Sequence, residues 1–253
     1  MTDSEDLKRG NYLNVLIKML YIIGLGLNEK GISKQGMLAL EKCNKVYLEN
    51  YTIDFPYKLE DLKLGKKIIP ISREDVESNK LIKEAKGRNI ALLIYGSPLF
   101  ATTHISLILD AEKQKIKTKI IYSASVFDAI AETGLQPYKF GKISSMPNPN
   151  QNPKSDFLEY IQENQSIKAH SLILVDIGLS FEKALSYLEK AAKDKDIKFD
   201  KIIVCSKIGT EDSQIYYDNI DNLKQKQIPQ PFCFIIPGEL HFLEKEAIER
   251  FKN

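Results

Sequence analysis

The sequence predicts an α/β fold made of two domains of similar size with mainly parallel sheets. Three observations carry this reading. Short runs rich in Ile, Leu and Val recur along the chain; the text between them is helix-like; and the 253 residues exceed the ~150 of a common single domain, pointing to one large domain or two compact ones. The runs are Met19–Ile23, Asn89–Tyr95, Thr118–Tyr122, Ser171–Ile177, Lys201–Cys205 and Phe232–Ile236, each of strand length. Between them, Ser33–Lys45 carries Met37, Leu38 and Leu40 at near-helical spacing, and Ser72-Arg-Glu-Asp opens a helix with Ser72 as its N-cap. Thr103–Lys115, Ser155–Glu163, Ser180–Lys193 and Glu239–Phe251 also fit helices. Parallel neighbours need a crossover that a helix usually supplies, so alternating strands and helices read as parallel sheets. The first set of units gives out between Val126 and Lys142, which divides the chain into 19–130 and 131–253, with 1–18 as an N-terminal extension. The Pro and Asn density of Ser144–Asp156 predicts a long exposed loop.

Composition narrows the function. With 43% apolar and 28% charged residues the chain has an ordinary globular balance, which excludes collagen-like, mucin-like and globally disordered classes. A net charge of +2 argues against a generic polyanion binder, so no direct nucleic-acid partner is expected. Cys43, Cys205 and Cys233 are odd in number and widely spaced, and read as reduced thiols rather than a disulfide framework or a metal site. The stretch most like a membrane span, Tyr12–Leu27, is interrupted by Asn14 and Lys18 and ends at Gly24 and Gly26, too short and too polar to cross. The mixed charges before it do not read as a signal peptide, so a cytoplasmic protein with no membrane partner is expected.

Site-like text follows three of the strand runs. Gly24-Leu25-Gly26-Leu27 lets the chain turn sharply and lets backbone approach a ligand closely, as at the strand ends of nucleotide-binding sheets. Glu29 stands where the dinucleotide fingerprint needs its third glycine, which disfavours a nicotinamide-dependent oxidoreductase. Gly96-Ser97-Pro98 fixes a second loop, leading to Thr102, Thr103 and His104; Ser123-Ala124-Ser125-Val126 is the third, and small residues at three strand ends can form one crevice. No G-x-S-x-G, H-E-x-x-H or phosphate-binding loop is present, and His104, His170 and His241 are far apart in sequence. Group transfer from a pre-activated donor, in which positioning supplies much of the acceleration, fits these residues better than hydrolytic or metal chemistry.

Five strings, MLYIIGLGL, SREDVE, GSPLFATTH, TGLQPYKFGK and PGELHFLE, in this order between Met19 and about Phe251, resemble the diphthine synthase family, whose fold is similar to that of the tetrapyrrole methylases. The resemblance implies two α/β domains with S-adenosylmethionine in the cleft between them, and a homodimer. It implies cofactor contacts at Leu27, Ser97, Phe100, Ser125, Val126, Val175, Ile208 and His241. Read alone, His241 is a helix-start residue; its place in PGELHFLE raises the contact reading. Ser97 departs from the family, which usually has Asp between the glycine and the proline, so a neutral hydroxyl replaces a carboxylate. The implied acceptor is elongation factor 2, at a histidine already carrying an aminocarboxypropyl group, whose amine becomes a trimethylammonium. Such an amine titrates near ~8, so no general acid or base is named. Tyr51, Glu49 or Tyr138 are the candidates to line the acceptor pocket. Members of the family commonly begin at the residue matching Met19. Other acceptors of the same fold, a tetrapyrrole or ribosomal RNA, and a non-enzymatic Lys-rich binding module are the alternatives. Gly26→Val is expected to abolish cofactor binding with little unfolding.

Overall fold

The computed structural model describes residues 18–149 and 156–252; of the expected extension 1–18, all but Lys18 lies outside the described residues. The first half builds β1 (Met19–Gly24), α1 (Lys34–Glu41), β2 (Lys45–Glu49), β3 (Ile68–Ile71), α2 (Arg73–Glu77), α3 (Lys80–Ala85), β4 (Ile90–Ile94), α4 (Ile105–Lys113) and β5 (Lys117–Ile121). All five strands are parallel, in the order β3-β2-β4-β1-β5. Alternate β1 residues serve opposite faces, as period-2 geometry requires. Leu20 and Ile22 pack with Leu81, Ile82, Leu107 and Ile108 of α3 and α4, whereas Tyr21 and Ile23 pack with Ala39 and Leu40 of α1. Both faces are thus covered, and that is why β1 and β4 read as continuous apolar runs. The Ser72 cap forms as expected: its Oγ accepts from Asp75 N at 3.2 Å.

The second half builds α5 (Val126–Ala129), β6 (Ser144–Met146), α6 (Phe157–Ser166), β7 (Ser171–Val175), α7 (Phe181–Asp194), β8 (Ile202–Ser206), β9 (Gln214–Asp218), α8 (Ile220–Leu223), β10 (Phe232–Ile236) and α9 (Phe242–Glu249). Its strand order is β6-β7-β10-β8-β9, and here the expectation of mainly parallel strands is corrected. Only β6 and β7 are parallel; β10 runs antiparallel to both β7 and β8, and β9 antiparallel to β8. The connection 207–213 between β8 and β9 is too short for a crossover, and β10 inserts between two strands that α7 links in parallel. Side chains from Val126 onward, including Phe127, Ile130 and Leu135, pack into this sheet with Leu172, Ile203 and Ile235.

Other elements also differ from the sequence reading. The first helix stops at Glu41, and Lys45 already opens β2. Ser144–Met146, expected in a loop, is a strand because its backbone finds β7, with Ser144 opposite Ile173. Residues 150–155 of that loop lie outside the described residues. β2, β3 and β9 had no predicted counterpart. β3 is four residues long and contains Pro70, which an edge strand tolerates.

Candidate active site

The strand-end loops after β1 and β4 are stitched to one another. Gly26 N donates to Gly96 O at 3.1 Å and Gly96 N to Gly26 O at 2.9 Å. A Cβ on Gly24 would lie 2.5 Å from Gly96 O, and one on Gly26, whose φ is +73°, 2.8 Å from Gly31 O. These two glycines are therefore required by protein backbone, which corrects the expectation that they admit a ligand and that Gly26→Val would leave the fold intact. Ser123 completes the stitch, its Oγ donating to Gly31 O at 2.8 Å. Of the glycines in these two loops, Gly96 has room beside it: a Cβ there would meet nothing closer than 3.7 Å, and the residue lines a cavity.

That cavity, about 320 Å³, opens at the carboxyl ends of strands from both sheets. Leu27 follows β1; Ser97 and Phe100 follow β4; Ser125 and Val126 follow β5; Val175 ends β7; and Ile208 follows β8. All seven line it. His241 does not: it is exposed as the N-cap of α9, its Nδ1 accepting from Leu243 N at 3.4 Å and its ring 4.2 Å from that of Phe242. Two hydrogen bonds join the halves beside the cavity, from Asn28 Nδ2 to Gly209 O at 2.7 Å and from Gly178 N to Asp54 Oδ2 at 3.2 Å.

A second group of lining residues comes from edge strands. Tyr51, Thr52 and Asp54 follow β2, and Arg73 opens α2 after β3. Glu49, 1% exposed, sits behind them rather than in the cavity. Its Oε1 accepts from Tyr51 N at 3.2 Å, Thr52 N at 3.0 Å and Thr52 Oγ1 at 2.8 Å. Burial still pushes the Glu49 carboxyl up. Its other oxygen lies 3.7 Å from Nε2 of buried His104, whose burial pushes it down to about 4. At neutral pH the imidazole is uncharged, so this contact is not an ion pair. Burial, then the Glu49 charge, pushes the Tyr51 hydroxyl up to about 12. Tyr138, 81% exposed, is outside the cavity. Of the three acceptor-pocket candidates, only Tyr51 faces the space.

Sequence reasoning did not single out Arg73 or Asp54 as lining residues, although Arg73 lies inside the SREDVE string. Asp176, just past β7, accepts from Ile177 N at 3.0 Å and Asn148 N at 3.3 Å. Among the described residues no group of three or more His, Cys, Asp or Glu could hold a metal ion.

The sequence matches the family of Tetrapyrrole (Corrin/Porphyrin) Methylases over residues 19–224. It is 37% identical to the diphthine synthase of Methanocaldococcus jannaschii, with 91% of this chain and 98% of that protein aligned. The chain belongs to the diphthine synthase family. The diphthine synthase of Archaeoglobus fulgidus is 32% identical over 93% of this chain and 96% of its own. A crystal structure of a diphthine synthase superposes with a TM-score of 0.83 at 32% identity, covering 92% of this chain and 96% of that one.

Two of the five strings that carry the resemblance meet at one buried carboxylate. Glu244, 0% exposed and from PGELHFLE, takes Gln136 N at 2.9 Å and Lys139 Nζ at 2.5 Å from TGLQPYKFGK. It also takes His241 N at 2.7 Å and His170 Nε2 at 3.0 Å. Gly238 N donates to His170 Nδ1 at 2.8 Å, which leaves the ring proton on Nε2 to face the carboxylate. Burial raises the Glu244 carboxyl, but Lys139, the two N–H groups and His170 outweigh it and hold it at about 2. In this chain the PGELHFLE string is thus a fastener between α9 and the segment after α5.

The cavity suits the cofactor that a methylase of this family uses. Leu27, Phe100, Val126, Val175 and Ile208 give apolar contact surface, the backbone at Gly96 is bare, and Asp54 and Asp176 supply negative charge for a cationic ligand. Its volume is within the range of small-molecule sites.

Proposed function

We propose that this chain is an S-adenosylmethionine-dependent methyltransferase of diphthamide biosynthesis. Its acceptor is the amine of the aminocarboxypropyl-histidine on elongation factor 2. The observation that carries the reading is the relationship to diphthine synthases over nearly their whole length, together with one cavity bordered by the strand-end residues that the family resemblance selects. Nothing favours a tetrapyrrole or ribosomal RNA acceptor. In this reading Leu27, Ser97, Phe100, Ser125, Val126, Val175 and Ile208 hold the cofactor; His241 would join them only from outside the cavity lining. We also propose a cytoplasmic homodimer with each acceptor cleft near the partner subunit.

When bound, the cofactor supplies a methyl group on a sulfonium, already activated for displacement. The protein's part is placement. The apolar side chains exclude water from the transfer path, and the loops stitched at Gly26 and Gly96 fix the cavity wall before ligand arrives. The acceptor amine titrates near ~8, so its free-base fraction provides the lone pair, and the displaced proton leaves to solvent.

Calorimetric titration with S-adenosylhomocysteine, NAD and a short RNA tests the binding half, and only the first should bind. Incubation of elongation factor 2 carrying the precursor with S-adenosylmethionine tests the chemistry, with mass spectrometry counting methyl groups. No mass gain on a competent acceptor would refute the function, and light scattering showing only a monomer at micromolar concentration would refute the dimer.

A further inference from the structure

Arg73 is the cavity's unassigned cation. Among the described lining residues it is the only Lys or Arg, and it makes no hydrogen bond or salt bridge with them. It is not loose, because its guanidinium lies 5.4 Å from the centre of the Tyr51 ring. Tyr51 is itself held through its N–H by Glu49, which also takes two donors from Thr52. A buried carboxylate thus holds the Tyr51 backbone, the Tyr51 ring carries the cation, and the guanidinium's five N–H donors make no hydrogen bond among the described residues.

Strand order sets this cation apart from the proposed cofactor contacts. The first-sheet residues assigned to the cofactor follow β4, β1 and β5, which are adjacent in the sheet, whereas Arg73 follows β3 at the far edge. With neighbouring strands about 4.8 Å apart, β3 stands roughly 10 Å from β4 and roughly 14 Å from β1. The cavity therefore has a region bordered by residues that follow β2 and β3, apart from the residues proposed to hold the cofactor. Arg73 is also exposed at its rim, where a side chain borne on another protein would enter.

We propose that Arg73 binds the carboxylate of an α-amino-acid head group on the acceptor and so aims the adjacent amine into the cavity. This deepens the proposed function and rests on it. A planar guanidinium meets a carboxylate through two parallel hydrogen bonds, which fix orientation as well as position. Pairing also weakens the carboxylate's hold on the neighbouring ammonium proton, favouring the free amine that attacks. Because Arg73 already covers the Tyr51 ring, that ring stacks on the guanidinium and leaves the methylated cation to the Asp54 and Asp176 side of the cavity.

The test compares wild type, Arg73→Gln and Arg73→Lys on elongation factor 2 bearing the aminocarboxypropyl group. Arg73→Gln should raise KM for the acceptor roughly tenfold or more, the size of a lost charged hydrogen bond, while KM for S-adenosylmethionine and affinity for S-adenosylhomocysteine stay within about twofold. Arg73→Lys should recover part of the loss, keeping the charge without the fork. In calorimetry with S-adenosylhomocysteine present, wild type should bind the modified acceptor more tightly than the unmodified one, and Arg73→Gln should lose that difference. Weakened cofactor binding in Arg73→Gln would show that the cation serves the cofactor, and an unchanged acceptor KM would show that it serves neither; either result overturns the inference. A wild-type chain that binds S-adenosylhomocysteine but methylates no precursor would instead remove the proposed acceptor, and the inference with it.

Discussion

Replacing Glu244 by Gln should make the stability of the protein less dependent on acid. The carboxylate is fully buried among Lys139, Gln136, His241 and His170, and is held at about 2 against an ordinary 4.5. Because its folded value is depressed, its stabilising contribution is complete above about 4.5 and is lost as pH falls from there toward 2. A depression of that size corresponds to about 3 kcal/mol at neutral pH. Gln keeps the shape but neither the charge nor an acceptor on both arms, and it leaves the Lys139 ammonium without its counter-charge. Urea unfolding at pH 7, 4.5 and 2.5 should therefore find Glu244→Gln about 3 kcal/mol less stable at pH 7, with the gap closing across the acid range. His104, lowered by burial, begins its own loss of stability below 6.5, and the substitution leaves that upper window in place, whereas His170, lowered by burial but raised by its contact with Glu244, is lowered further when that charge is removed. Parallel stability curves for the two proteins from pH 5 to 2.5 would refute the assignment of that acid window to Glu244.

His104→Phe should flatten the decline between pH 6.5 and 4, where wild type loses on the order of 3 kcal/mol because only the unfolded imidazole takes up a proton; thermal melts across that range check it. Gly26→Val should lower the melting temperature as well as cofactor binding, since a branched side chain at φ +73° meets the Gly31 carbonyl; an unchanged melting temperature would contradict this. Ser97→Asp should tighten S-adenosylmethionine binding about fivefold at low salt, from a charge-assisted contact on the order of 1 kcal/mol, and the gain should shrink as salt rises. Calorimetry at two ionic strengths decides; weaker binding at low salt would mean either that Ser97 does not face the cofactor or that an acid such as Glu132 or Asp176, the latter in the same cavity, already fills the role.

Most strands legible in the sequence are buried on both faces, where burial forces a continuous apolar run, as in IALLI of β4 and FCFII of β10, although the partly exposed edge strand β5 was also legible from Thr118–Tyr122. Those that escaped include β3 with its proline, β6 with three residues, and β9 with partly exposed side chains, and also the buried inner strand β2, whose three apolar residues stand between Lys45 and Glu49. Composition says nothing about direction, and β10 has the same apolar text whether it runs with or against its neighbours. In the site, small residues at strand ends were readable because turns restrict residue type. Arg73 was not, since a lone arginine at a helix start is usually a solvated surface residue, and only the sheet order brings it beside Tyr51. The glycines of GLGL were noticed for the right reason, crowding, but the crowding is with Gly96 and Gly31 and not with a ligand.

The position of β10 bears on how the chain is made. The first sheet has all its strands once residue 121 has been synthesised, so a nascent chain can close that half early. The second sheet cannot close in the same way, because its central strand is the last to emerge, at 232–236, and must enter between β7 and β8. Until then two long-separated strands present unpaired inner edges, the kind of surface that invites pairing with another chain. A premature stop just before β10 would therefore leave a half with every other strand in hand and no means of joining them, and the last tenth of the sequence decides whether the second sheet exists at all.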